Sequence, residues 1–104
     1  MRKVLKVRYL VIGEKAEIQR ATGFFGDVVR ALDETNADFQ AVEQEWGEIR
    51  CHVGKALLPD FTIRQEGENV VAKIGGANLS GKTTMEVVVA VNRAMDHLAR
   101  GVDW

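Results

Sequence analysis

The chain has 104 residues, a formal net charge of -1 and an apolar content of 46%. This length suits one domain and is too short for two, so we expect a single domain over residues 1–104. The near-neutral charge excludes a global attraction to nucleic acid or membranes. The one cysteine, Cys51, cannot form an internal disulfide, and no stretch approaches the ~20 apolar residues of a membrane span. Composition therefore predicts a cytoplasmic protein.

The first two predicted elements are a strand and a helix. Alternation of apolar residues predicts a strand over Lys3–Ile12. The face expected to be buried holds Leu5, Val7, Tyr9 and Val11, and the opposite face holds Lys6 and Arg8. Apolar residues at helical spacing follow over Lys15–Thr35, interrupted by Gly23 and Gly26. We expect this helix either to be kinked or to begin only near Gly26, and to end at Asn36.

The middle of the chain gives a mixed signal and then a clear one. Residues 37–53 have apolar positions that suit either a helix or a strand, and we favour irregular or strand structure to Trp46, then a strand over Glu48–Val53. Phe61–Gln65 and Asn69–Ile74 are predicted to form a hairpin joined through Glu66-Gly67-Glu68.

The last predicted element is a helix over Ser80–Arg100, with Gly101 just beyond its end. The element order is then β-α-(β)-β-β-β-α. This order predicts an α+β domain in which a mainly antiparallel sheet carries both helices on one face.

Residues 76–83 match the pattern G-x-x-x-x-G-K-[ST], with Gly76, Gly81, Lys82 and Thr83 at the defining positions. The segment resembles the Walker A loop of nucleotide triphosphatases, which implies phosphate binding by backbone N–H groups and a lysine. The chain after Thr83 suffices for one helix and a tail, so no later strand supplies the acidic residue that holds magnesium in that family.

We therefore interpret residues 76–83 as a chance match to the motif that does not bind phosphate. On this interpretation Gly75 and Gly76 end a strand, Asn78 or Ser80 caps the final helix, and Lys82 faces solvent. A small protein that binds a phosphate or nucleotide ligand at this segment is the alternative function.

The solvent side of the predicted sheet is basic. Its cationic residues are expected to be Lys6, Arg8, Arg50, Arg64 and Lys73. Such a face suits an anionic ligand or an acidic protein partner. We do not expect nucleic acid, because the face lacks the aromatic side chains on which bases stack. Because the net charge is near zero, we favour the interpretation of an ordinary solvated sheet face, and an anionic partner is the alternative.

No catalytic, metal or cofactor site is predicted. Cys51 and His52 are neighbours on a predicted strand, so their side chains point to opposite faces and cannot share one reaction or one metal ion. Nothing else in the sequence places a nucleophile, a base and a carboxylate together. The leading prediction is a non-enzymatic binding or interaction module.

Self-association is predicted from the final helix. On a helical wheel Met85 and Val89 fall opposite the buried stripe and lie four residues apart. A helix that is apolar nearly all round is usually covered on both sides. We therefore expect a homodimer whose interface includes Met85, Val89 and Trp104, with the tail ending in Trp104 as an alternative cover.

Overall fold

The computed structural model describes residues 8–11, 19–36, 39–44, 47–53 and 58–99. Its strands are β1 Arg8–Val11, β2 Phe39–Glu43, β3 Ile49–Val53, β4 Phe61–Glu66, β5 Asn69–Ile74 and β6 Ala77–Gly81, and its helices are α1 Gly23–Thr35 and α2 Thr84–Ala99. The described strands form one 6-stranded antiparallel sheet in the order β1-β2-β3-β4-β5-β6. Both helices contact this sheet and each other, which confirms the predicted α+β fold. Neither described helix is long and apolar enough to cross a membrane.

A single apolar core lies between the sheet and the two helices. The sheet contributes Phe39, Ala41, Ile49, Cys51, Val53, Phe61, Ile63, Val70, Ala72 and Ile74, all at alternate positions on one face. The helices contribute Phe25, Val28, Val29, Ala31, Leu32, Val87, Val88, Val91 and Met95. No polar or charged side chain is buried among the described residues, so burial carries little desolvation cost. The other face of the sheet carries neither of the described helices α1 and α2.

Helix α1 begins at Gly23, close to the later of the two predicted starts, and ends at Thr35, with the predicted end residue Asn36 as its C-cap. The backbone N–H of Asn36 donates to the carbonyl oxygen of Leu32 at 2.8 Å. Gly26 is buried against the preceding chain, where an added Cβ would lie 2.5 Å from the carbonyl oxygen of Ala21. The two interrupting glycines therefore have different roles: Gly23 takes a left-handed φ of 64° at the helix start, and Gly26 permits close packing.

Strands β2 and β3 pair antiparallel, which agrees with the favoured strand interpretation. The N–H of Gln44 donates to the carbonyl oxygen of Glu48 at 2.8 Å, and Gly47 has a φ of 74°. The predicted second hairpin is also confirmed. β4 and β5 pair through a turn in which Gly67 has a φ of 61°.

Strand β6 is not predicted from the sequence pattern. Gly75 takes a φ of 58° and turns the chain back, so Ala77–Gly81 pairs along β5. Helix α2 consequently begins at Thr84 and not at the predicted Ser80. Alanine, asparagine, serine and glycine have little preference for strands, so tertiary pairing and not local propensity forms this element.

The register of β1 reverses the predicted assignment of its faces. Leu10 pairs with Ala41, and Arg8 pairs with Glu43, so both positions lie on the helix side of the sheet. Tyr9 pairs with Val42 and is therefore on the solvent side. Apolar residues occupy both parities of Lys3–Ile12, so alternation alone does not determine which face is buried. The rest of that predicted strand before Arg8, including Leu5, Lys6 and Val7, lies outside the described residues.

Candidate binding face

The sheet face opposite the helices, here called the outer face, is the candidate functional surface. Its described positions on β2 to β6 are Gln40, Val42, Arg50, His52, Thr62, Arg64, Glu66, Asn69, Val71, Lys73, Asn78 and Ser80. They are exposed or half-buried, whereas most of their neighbours along β2 to β5 are buried in the core; Glu43 and Gln65 are the exceptions. Neither described helix covers this face.

The cations Arg50 and Lys73 lie on either side of Thr62 on the outer face. The register places Arg50 opposite Thr62 and Thr62 opposite Lys73 across three neighbouring strands. Because adjacent strands are about 4.8 Å apart, the Cα atoms of Arg50 and Lys73 are separated by about 10 Å. Both residues are exposed, and neither side chain has a hydrogen bond or an ion pair to another described residue. The row therefore presents two cations that have no side-chain partner among the described residues, with a hydroxyl between them.

The other predicted basic residues differ from Arg50 and Lys73 in their ion pairing or in their position. Arg64 lies on the outer face but forms an ion pair with Glu66, two residues along the same strand. Arg8 occupies a helix-side register position opposite Glu43. Lys6 lies outside the described residues. Alternation along β4 already puts residues 64 and 66 on one face, so the neutralising glutamate was detectable from the sequence.

His52 and Cys51 are separated by the sheet, as predicted. The Nδ1 atom of His52 lies 2.8 Å from the Oδ1 atom of Asp60 on the outer side. Cys51 is buried among core residues on the other side. Burial, with a smaller contribution from the charge of Asp60, raises the pKa of the Cys51 thiol well above its ordinary value. The described residues contain no group of three or more His, Cys, Asp or Glu that would hold a metal ion.

The segment that resembles a phosphate-binding loop forms a turn and a strand. Gly76 lies in the turn after β5, and Ala77–Gly81 is β6, paired in register with β5. A phosphate-binding loop wraps its backbone N–H groups around the anion, whereas alternate N–H groups of β6 pair with β5. Lys82 and Thr83 are exposed between β6 and α2, so Lys82 faces solvent as predicted.

The start of α2 is occupied by a carboxylate of the chain itself. The Oε1 atom of Glu86 accepts hydrogen bonds from the N–H of Lys82 at 2.9 Å and of Thr83 at 3.0 Å. The N–H of Glu86 donates to Thr83 Oγ1 at 3.1 Å. This reciprocal pair is a capping box with Thr83 as the N-cap, so neither Asn78 nor Ser80 caps the helix.

Met85 does not face away from the core. It is half-buried, packs against the core and lines a groove of about 590 Å³ between α1 and α2, together with Asp27, Arg30 and Ala31. The wheel placed Met85 outward because it takes no account of α1, which lies beside this flank of α2. Val89 is half-buried, and Trp104 lies outside the described residues.

Comparisons with protein-family models, with curated proteins and with solved structures found no match. Inference about function therefore depends on the geometry and charges of the outer face and on the edges of the sheet.

Proposed function

We propose that this chain is a non-enzymatic binding module whose outer face holds an acidic protein partner. The observation that carries this proposal is the row Arg50, Thr62, Lys73. It places two cations without described partners near the middle of a sheet face that no described helix covers. Cations left unpaired on an open face are available to carboxylates of another chain, with which Arg forms paired hydrogen bonds.

The spacing of the row fits carboxylates on an extended peptide. Residues two or three apart in an extended chain are about 7–10 Å apart, which matches the separation of about 10 Å between Arg50 and Lys73. Val42 adjoins Arg50 in the register and Val71 lies on the same face; both are half-buried and offer apolar contact beside the charges. The partner expected is therefore an extended acidic segment with apolar residues between its carboxylates.

A protein partner is favoured over single-stranded nucleic acid. Among the described strands, the register places one aromatic position, Tyr9, on the outer face. Sheets that bind single-stranded RNA stack two or three bases on aromatic side chains. The formal net charge of -1 adds no general attraction to phosphate backbones.

Phosphate binding at residues 76–83 is the weaker candidate. The carboxylate of Glu86 already accepts hydrogen bonds from the N–H groups that a phosphate would need at the start of α2.

The proposed place of action is the cytoplasm, because the chain has a single cysteine and no described helix that would cross a membrane.

An NMR titration of the labelled protein with a hexaglutamate peptide tests the outer-face proposal. The backbone amides of Arg50, Thr62 and Lys73 are expected to shift most, and the shifts should shrink as salt rises from 50 to 300 mM. Changing Arg50→Glu or Lys73→Glu should weaken peptide binding by about tenfold or more.

The matched control is Arg93→Glu, which makes the same charge change at an exposed position on α2, in the other layer of the domain. This variant should bind the peptide within about twofold of the unmodified protein. Equal losses in all three variants, or shifts centred on α2, would contradict the proposed site. Tighter binding of a thymidine dodecamer than of hexaglutamate would point to nucleic acid instead.

A further inference from the structure

Among the described strands β6 is an edge of the sheet, and its own sequence carries none of the usual protection against pairing, apart from its modest length. Within the described chain no strand lies beyond it. Edge strands are commonly blocked by a charged side chain, a proline or a bulge. Ala77–Gly81 contains no charged residue and no proline, and its register with β5 runs without a bulge.

The hairpin geometry determines which backbone groups of β6 point away from β5. Ile74 and Ala77 close a two-residue turn and form a hydrogen-bonded pair, so Leu79 and Gly81 also bond to β5. The intervening residues, Asn78 and Ser80, direct their N–H and C=O groups outward. The edge therefore offers two donors and two acceptors at a spacing that a further antiparallel strand would satisfy.

We propose that two copies of this chain pair antiparallel through β6, with Leu79 on the two-fold axis. In this register Asn78 lies opposite the partner's Ser80, and Ser80 lies opposite the partner's Asn78. Each such pair exchanges both backbone hydrogen bonds, because these are the outward-facing residues. Ala77 lies opposite the partner's Gly81, so the whole of β6 is paired.

A second copy of β6 would contact side chains on both faces of this edge strand. On the helix side, half-buried Leu79 meets its own copy in the closer, non-hydrogen-bonded type of pair and covers its exposed part. On the outer face, the exposed amide of Asn78 meets the hydroxyl of the partner's Ser80. Because β6 carries no charge, self-pairing brings no like charges together.

This dimer replaces the interface that the wheel pattern of α2 predicts. Met85 is already packed within its own subunit, and the paired strands do not require Val89. The two sheets would join into one, placing the two Arg50–Lys73 rows on the same side. The inference does not depend on the proposed acidic partner, because no charged residue takes part in the pairing.

Light scattering after gel filtration, at about 10–200 µM protein, tests the pairing with two matched variants. Asn78→Asp with Ser80→Asp places like charges opposite each other across the two-fold axis, and we expect it to weaken the dimer at least tenfold. Asn78→Asp with Ser80→Lys places opposite charges there, and we expect the dimer to persist. In both variants the aspartate introduced at position 78 lies opposite Lys73 in the β5–β6 hairpin. This pair of opposite charges favours the folded subunit.

Amide hydrogen exchange gives a second measurement on the unmodified protein. The N–H groups of Asn78 and Ser80 should be protected at 200 µM and exposed on dilution, while that of Leu79 stays protected by β5 at both concentrations. A monomer across the whole range would overturn the proposal. So would a dimer indifferent to the paired aspartates, or one broken by Val89→Asp.

Discussion

Thr83 and Glu86 cap each other at the start of α2. The N–H of Thr83 donates to Glu86 Oε1 at 3.0 Å, and the N–H of Glu86 donates to Thr83 Oγ1 at 3.1 Å. A side-chain carboxylate therefore occupies the place that phosphate takes in a nucleotide-binding loop. The same lysine and threonine that complete the motif belong to a local helix cap.

Replacing Glu86 by alanine should destabilise the fold by about 1 kcal/mol, because three backbone and side-chain donors lose their acceptor. Urea unfolding followed by circular dichroism measures the change. Glu86→Gln should lose less, since its amide oxygen still accepts. The control is Asp96→Ala, an exposed acidic residue later in α2, which should change stability by less than about 0.5 kcal/mol.

No magnesium-dependent binding of ATP or GTP is expected, and no hydrolysis above background. Strand pairing holds Ala77–Gly81 extended, and Glu86 holds the N–H groups of Lys82 and Thr83. Isothermal titration with and without magnesium measures binding, and Lys82→Ala should leave the result unchanged. Micromolar nucleotide binding that disappears in Lys82→Ala would restore the alternative function.

Gly26→Ala should cost about 1–3 kcal/mol of unfolding free energy, because the new methyl group would lie 2.5 Å from the carbonyl oxygen of Ala21. Gly76→Ala is the matched control, since an added Cβ there meets nothing within 4 Å. That control should stay within about 0.5 kcal/mol of the unmodified protein. Comparable losses in both variants would mean that Gly26 is not closely packed. Thermal and urea unfolding both report the difference.

Stability should fall at alkaline pH through Cys51. Burial raises the pKa of this thiol in the folded state, whereas in the unfolded chain it ionises near about pH 8.5. Above that pH the unfolded state binds fewer protons than the folded state. The free energy of unfolding is therefore undiminished below about pH 8.5 and decreases by up to about 1.4 kcal/mol per pH unit above it.

Urea unfolding of the protein and of Cys51→Ala between pH 7 and 10 isolates this effect. Subtracting the two curves removes the contributions of lysine and tyrosine, which both proteins share. The difference in unfolding free energy should shrink as the pH rises beyond about 8.5. Parallel curves over the whole range would show that the thiol ionises normally in the folded state.

Part of the candidate site follows from sequence alone. Arg50, Thr62 and Lys73 alternate with strongly apolar neighbours on strands β3, β4 and β5, so their exposure on a common face is predictable. Arg8 is different, because its strand has apolar residues on both parities and only pairing with Glu43 determines its side. Which of the predicted cations form ion pairs also depends on the residues that the strand register places beside them.

Local pattern determined the hairpin of β4 and β5 and the centre of α2. In both, apolar spacing and turn or helix-forming residues agree, and each segment buries one clear face. Only tertiary structure decided that Ala77–Gly81 is a strand and that α1 lies beside Met85. The cap formed by Thr83 and Glu86 is instead a local pattern of residues three apart. A sequence pattern predicts that one side of a helix or strand is buried. Which element packs against that side depends on contacts between residues far apart along the chain. For β1 and β6 that neighbour is a paired strand. The register of pairing determines which residues of β1 lie on the helix side of the sheet and which backbone groups of β6 are left for a partner.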